Sequence, residues 1–239
     1  MRVVCIHSTG LSGRQWNSLK SALTDHQVFT PDLLGYGHNE WDNSRKYDLD
    51  TELAPLEELM VEPCVLVGHS CGGFLAMKLA ARYPEKVRGL VVYDPIAWGV
   101  LASAESEYLE EFRKNEVTAR EDEDDNWLPR FVEFWGGPGG WESASAGTRH
   151  YMRQKEAKIK TEVKTLVHDR TPHTEYLRIA SPILLTGGRE SPALEREVMR
   201  ILSETLPSAE TVWMDCGHMG PILLPDKFNA LVLDFLERL

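Results

Sequence analysis

The sequence predicts an α/β fold: a mainly parallel sheet of about six strands with helices on both faces, carrying an inserted helical segment. Three observations lead there. Short apolar runs alternate with helical patterns from residue 2 onward. Cys64-Val65-Leu66-Val67 reads as a strand buried on both faces, and it runs through Gly68-His69-Ser70-Cys71-Gly72 straight into a helix. Between Ile96 and Tyr176 the rhythm breaks and nothing reads as a convincing strand.

Taken in order, Arg2 to Ile6 is the first strand, and a helical stretch follows from about Arg14 to Thr24. Gln27 to Thr30 is a short second strand ending in the turn-rich loop Pro31–His38. A modest helix around Thr51 to Met60 precedes the Cys64 strand. The helix Phe74–Tyr83 is stopped by Pro84, and Val87–Tyr93 is the next strand, stopped by Asp94-Pro95. Ile183–Thr186 and Thr211–Met214 are the last strands, separated by a helix over Pro192–Thr205. Lys227–Leu239 is the closing helix. Residues 96–176 are expected to form a helical cap over a core of residues 1–95 and 177–239, with helices over Glu105–Asn115, Pro129–Trp135 and Ala146–Val167.

Gly68-His69-Ser70-Cys71-Gly72 is a G-x-S-x-G pattern between a strand and a helix. A serine there projects from a strained turn at the carboxyl edge of the sheet, where a Cβ two residues to either side would crowd the turn. The helix that follows aims free N–H groups at a developing oxyanion. With these residues the chain resembles the α/β-hydrolase family. It starts directly on a strand where family members often have a leading β-hairpin, so a trimmed core is expected.

The resemblance implies a serine hydrolase with Ser70 as nucleophile. A base must take the hydroxyl proton and must itself be oriented. His218, in Cys216-Gly217-His218-Met219-Gly220 after the last strand, resembles the family's G-x-G-H segment, with Cys216 replacing the first Gly. Glu190, after the Ile183 strand, occupies the place of the family's acid and is the first choice; Asp94, after the Val87 strand, is the alternative. The oxyanion donors are expected at the N–H of Cys71 and of Thr9, in a His7-Ser8-Thr9 loop that resembles His-Gly-x with Ser8 in place of Gly. Ser8, Trp98, Trp135 and Met219 are expected to line the substrate pocket. Serine at the elbow argues against the dehalogenase and epoxide-hydrolase branches, which need aspartate there.

Composition sets the remaining expectations. An apolar fraction of 42% and a charged fraction of 26% suit a globular protein. The net charge of -11 argues against nucleic acid and anionic membrane surfaces. No apolar run reaches the length of a bilayer span, and the N-terminus lacks a signal-peptide layout. Four cysteines without C-x-x-C spacing argue against zinc and a disulfide scaffold. The Glu121–Asp125 run reads as a solvated loop. The expected protein is cytoplasmic, needs no cofactor or metal, and takes a small to medium apolar ester or a related carbamate, lactone or amide. Its rivals are a carbon–carbon bond hydrolase acting on a diketone and a non-hydrolytic ligand receptor. Oligomeric state is left open.

Overall fold

The computed structural model describes residues 1–42, 47–108 and 126–239. Six strands form one sheet: β1 (Arg2–Ile6), β2 (Gln27–Phe29), β3 (Cys64–His69), β4 (Val87–Tyr93), β5 (Ile183–Gly188) and β6 (Glu210–Met214). Their spatial order is β2-β1-β3-β4-β5-β6, and every pairing is parallel. This is the sheet expected from the alternation of strand and helix. The order reverses at β1 and β3, and the carboxyl ends beside such a switch point open a crevice for ligands.

The strands alternate between two cores. Val4, Ile6, Leu66, Leu90 and Val92 face one side, packing with helix α3 (Cys71–Arg82). Val3, Cys5, Val65, Val67 and Val91 face the other, against Trp16 and the closing helix. Burial on both faces explains why these strands read as continuous apolar runs. Helices α1 (Asn17–Ala22) and α2 (Leu49–Glu58) complete the first half of the chain.

From residue 94 to 182 no strand occurs among the described residues. The helices there are α4 (Gly99–Ser103), α5 (Trp127–Gly136), α6 (Gly140–Ser143) and α7 (Ala146–Val167). Their buried side chains, Trp127, Phe131, Ile159 and Val163 among them, join the same cluster as β1, β3 and β4. The insert therefore shares the sheet's core instead of closing one of its own. Gly136–Gly140 makes a turn with Gly137 and Gly139 at positive φ, capped by the Glu133 carboxylate on the N–H groups of Gly139 and Trp141. Most of the helix expected over Glu105–Asn115 and all of the Glu121–Asp125 run lie outside the described residues. Helices α8 (Ala193–Thr205), α9 (Gly220–Leu223) and α10 (Pro225–Glu237) end the chain. No helix among the described residues is long and apolar enough to cross a membrane.

Ser70 links β3 to α3 with φ 57 and ψ -120, a region that side chains rarely adopt. Its N–H donates to the Tyr93 carbonyl at 2.9 Å, tying the turn to β4. The glycines on either side are required by space. A Cβ at Gly68 would lie 2.3 Å from the Gly72 carbonyl oxygen, and one at Gly72 would lie 2.1 Å from that of Ile6. Both obstacles are backbone, which cannot swing aside. Gly72→Ala is expected to lower stability by at least about 3 kcal/mol, the upper part of the overpacking range, measured by urea denaturation.

Candidate active site

Asp94 follows β4 with φ 41 and no solvent exposure. A buried carboxylate needs hydrogen bonds, and three donors supply them. The Ser191 hydroxyl donates to Oδ2 at 2.5 Å, the Gly188 N–H to Oδ1 at 3.2 Å, and His218 Nδ1 lies 3.2 Å from Oδ2. A Cβ at Gly187 would come within 2.7 Å of Asp94 Oδ1, so that glycine makes room for the carboxylate.

Of the two acids weighed from sequence, the structure brings Asp94, the alternative, and not Glu190, the first choice, to the imidazole. The turn after β5 explains the exchange. The Ser191 N–H closes on the Gly188 carbonyl and the Glu190 N–H on the Cys216 carbonyl. That turn points Ser191 inward and leaves the Glu190 side chain exposed. Ser191 had no signal in the sequence beyond its place in a loop on the correct edge.

His218 is 2% exposed and held at its backbone as well as its ring. Its carbonyl accepts from His69 Nε2 at 2.8 Å, and the neighbouring Gly217 carbonyl accepts from the Tyr93 hydroxyl at 2.8 Å. Behind His69 a relay continues. The Ser8 N–H donates to Gln15 Oε1 at 2.9 Å, and Gln15 Nε2 lies 3.0 Å from His69 Nδ1. Because the amide nitrogen only donates and the carbonyl only accepts, His69 carries its proton on Nε2. Burial, then the adjacent His218, pushes His69 well below the usual histidine range, so it stays neutral. His7 is a loop support too: it bridges the Ser8 carbonyl and the Leu33 N–H, and burial lowers it.

Ser8, Thr9, Ser70, His218, Trp98, Trp135 and Met219 all line one cavity of about 340 Å³. Its walls are mainly apolar, with Ile96, Phe131, Val132, Met152 and Ile222 among them, and the volume is that of a small-molecule site. The Trp135 ring stands 4.5 Å from the His218 ring and stacks with Trp98 at 6.0 Å. Cys71 begins α3 directly after Ser70 and is fully buried, its thiol pushed well up by burial and by the Glu162 charge. Cys216 is buried as well. Neither thiol has the character of a nucleophile.

Glu195, which the sequence reading did not single out, stands behind the Trp98 wall. It is fully buried, and its Oε1 accepts from the Trp98 indole N–H at 2.7 Å. Burial and then the Asp94 charge push its carboxyl well above the ordinary 4.5, favouring the neutral acid.

The fold agrees with the comparisons. The chain matches the alpha/beta hydrolase family over residues 3–231, and it belongs to that family. Lipase LipV of Mycobacterium tuberculosis is 39% identical over 98 residues, 39% of this chain and 37% of that protein. The putative carbamate hydrolase RutD of Pantoea ananatis is 28% identical over 99% of this chain and 88% of its own length. A 2-hydroxymuconate semialdehyde hydrolase of Pseudomonas sp. (strain CF600) is 26% identical over 99% of this chain and 87% of its own.

Glu195 supplies a test of the site's electrostatics. Its raised carboxyl favours the folded state below the unfolded value near 4.5, and that contribution is lost as pH rises toward the folded one. Glu195→Gln removes the titration. Its melting temperature is expected to gain on that of the native chain as pH increases from 5 to 8, as scanning calorimetry would record.

Proposed function

We propose that the protein is a serine hydrolase cleaving a carboxylic ester of small to medium apolar character through an acyl-enzyme intermediate. The observation that carries this reading is the His218–Asp94 contact at 3.2 Å beside a cavity that Ser70 and His218 both line. Ser70 Oγ attacks the acyl carbonyl as His218 Nε2 takes its proton, while Asp94 accepts the Nδ1–H and stabilises the imidazolium. The N–H groups of Cys71 and Thr9 receive the oxyanion. The choice of Thr9 is supported by Ser8, whose N–H is already bound to Gln15. His218 then hands the proton to the departing alkoxide. It next takes one from water as that water attacks the acyl carbon, and it returns the proton to Ser70 Oγ as the acyl–oxygen bond breaks and the acid leaves.

The helices between β4 and β5 act in this reading as a cap whose aromatic rings exclude water and select the acyl or alkyl group. Apolar walls around few polar groups favour an uncharged, apolar substrate. The similarity to a carbamate hydrolase keeps carbamates within the proposal. A carbon–carbon bond hydrolase is the second reading, favoured by the whole-length similarity to 2-hydroxymuconate semialdehyde hydrolase. A panel of p-nitrophenyl esters of rising acyl length, run beside a vinylogous diketone, separates the two by which is turned over.

Ser70→Ala is expected to abolish labelling by a fluorophosphonate and reduce ester turnover by at least about 10³-fold. Retained labelling would place the nucleophile elsewhere. Asp94→Asn is expected to lower kcat about 10³-fold or more, whereas Glu190→Gln stays within about twofold, both read from steady-state rates.

A further inference from the structure

Beneath the Ser8–Thr9 loop lies a buried charged cluster for which the acyl chemistry above has no role. Glu162 on α7 has no exposure, Lys158 one turn before it has 3%, and Glu52 on α2 has 1%. Lys158 Nζ stands 2.7 Å from Glu162 Oε2 and 3.1 Å from Glu52 Oε2. The ammonium also sits over the Tyr47 ring at 3.9 Å and the Tyr36 ring at 5.1 Å. Glu52 uses its other oxygen to accept the Leu34 N–H at 2.8 Å, and Glu162 uses its other oxygen to accept the Thr9 hydroxyl. Burial alone would raise the Glu162 carboxyl. The Lys158 charge and the hydrogen bonds from Lys158 and Thr9 outweigh it and hold the group below its ordinary value.

Apolar packing between α7 and the loop would cost less than three buried ionisable side chains. The cluster is therefore explained by what it holds in place. We propose that Glu162 is a positioning residue for the oxyanion site: fixed by Lys158, its carboxylate grips the Thr9 side chain and so sets the direction of the Thr9 N–H. The inference rests on the reading above, in which that N–H and the one of Cys71 receive the oxyanion.

Three features converge on this role. The loop is gripped on both sides, the Ser8 N–H by Gln15 and the Thr9 hydroxyl by Glu162. Gly10, next in line, has φ 76 and lies directly under α7, so that a Cβ there would touch Met152 Cε at 3.0 Å and Ile159 Cδ1 at 3.4 Å. The loop therefore follows the register of α7. Cys71, which bears the other donor, faces the same carboxylate, whose charge adds to burial in raising its thiol. One side chain of the insert thus abuts both residues that supply the oxyanion hole. A misplaced hydrogen-bond donor forfeits transition-state stabilisation and leaves ground-state binding intact.

The test compares Thr9→Val, Thr9→Ser, Glu162→Gln and the Thr9→Val/Glu162→Gln double variant. Steady-state hydrolysis of a p-nitrophenyl ester gives kcat and KM. A trifluoromethyl ketone, which forms a tetrahedral adduct bearing an oxyanion, is compared with its methyl ketone, which binds without one. Thr9→Val is expected to lower kcat and trifluoromethyl ketone affinity together by about tenfold or more. KM and methyl ketone affinity are expected to stay within about twofold, since ground-state binding is untouched. Thr9→Ser restores most of the rate, and the double variant is no slower than the worse single one. The proposal is overturned if Thr9→Val matches the native chain in kcat and in both ketones, or if the two single losses multiply. Should Glu162→Gln fail to fold, the Thr9→Val and Thr9→Ser pair decides alone. A native chain that neither labels with fluorophosphonate nor prefers the trifluoromethyl ketone removes the acyl-transfer reading and this inference with it. A native chain that does both, with Thr9→Val indistinguishable from it, removes this inference alone.

Discussion

A carboxylate with no access to water is among the most costly groups a protein can hold, and Asp94 is one. It is kept by three donors from two separate segments: the Gly188 N–H at the end of β5 with the Ser191 hydroxyl in the turn after it, and the His218 ring after β6. The left-handed backbone at Asp94 itself costs on the order of 1–3 kcal/mol. Loops that meet at one charge cannot shift independently. That charge fixes the carboxyl edge of the sheet as one unit, and the rest of the site is arranged around it.

The two other fixed points connect to it through the ends of β3 and β4. Tyr93 precedes Asp94; its carbonyl receives the Ser70 N–H and its hydroxyl holds the Gly217 carbonyl. His69 precedes Ser70 and holds the His218 carbonyl. The residues just before Ser70 and just before Asp94 therefore both position the His218 loop. This explains why so many polar groups are buried here without reaching the cavity. Each satisfies a loop carbonyl or amide that would otherwise lack a partner, and in doing so it removes a degree of freedom from the site.

On the far side, the insert contributes both wall and support. Trp135 stands against His218 and Trp98 stacks on Trp135, while Glu195 anchors the Trp98 indole from α8. Glu162 reaches the Ser8–Thr9 loop from α7. Because the insert's apolar side chains share a cluster with the sheet, its placement is set by the main core. Pocket shape and loop geometry therefore depend on one packing arrangement.

The sheet and the Ser70 turn were legible in the sequence because both obey local rules. Strands buried on both faces are continuous apolar runs, and the glycines at 68 and 72 sit where a Cβ would lie 2.3 and 2.1 Å from a backbone oxygen. The place of His218 on the same edge as Ser70 was legible from its position after the last strand. Which carboxylate would meet its ring was not. Asp94 and Glu190 both follow strands on the same edge, and one turn of backbone, closed by Gly188 and Cys216 carbonyls, decides which side chain points inward. Ser191, Gln15, Glu162 and Glu195 were equally hidden, since each acts across many residues of chain on a partner that only folding brings near. Periodicity and turn chemistry act over a few residues and are written in order along the chain. The choice among distant carboxylates is a matter of three-dimensional reach and shared burial, and tertiary structure alone makes it.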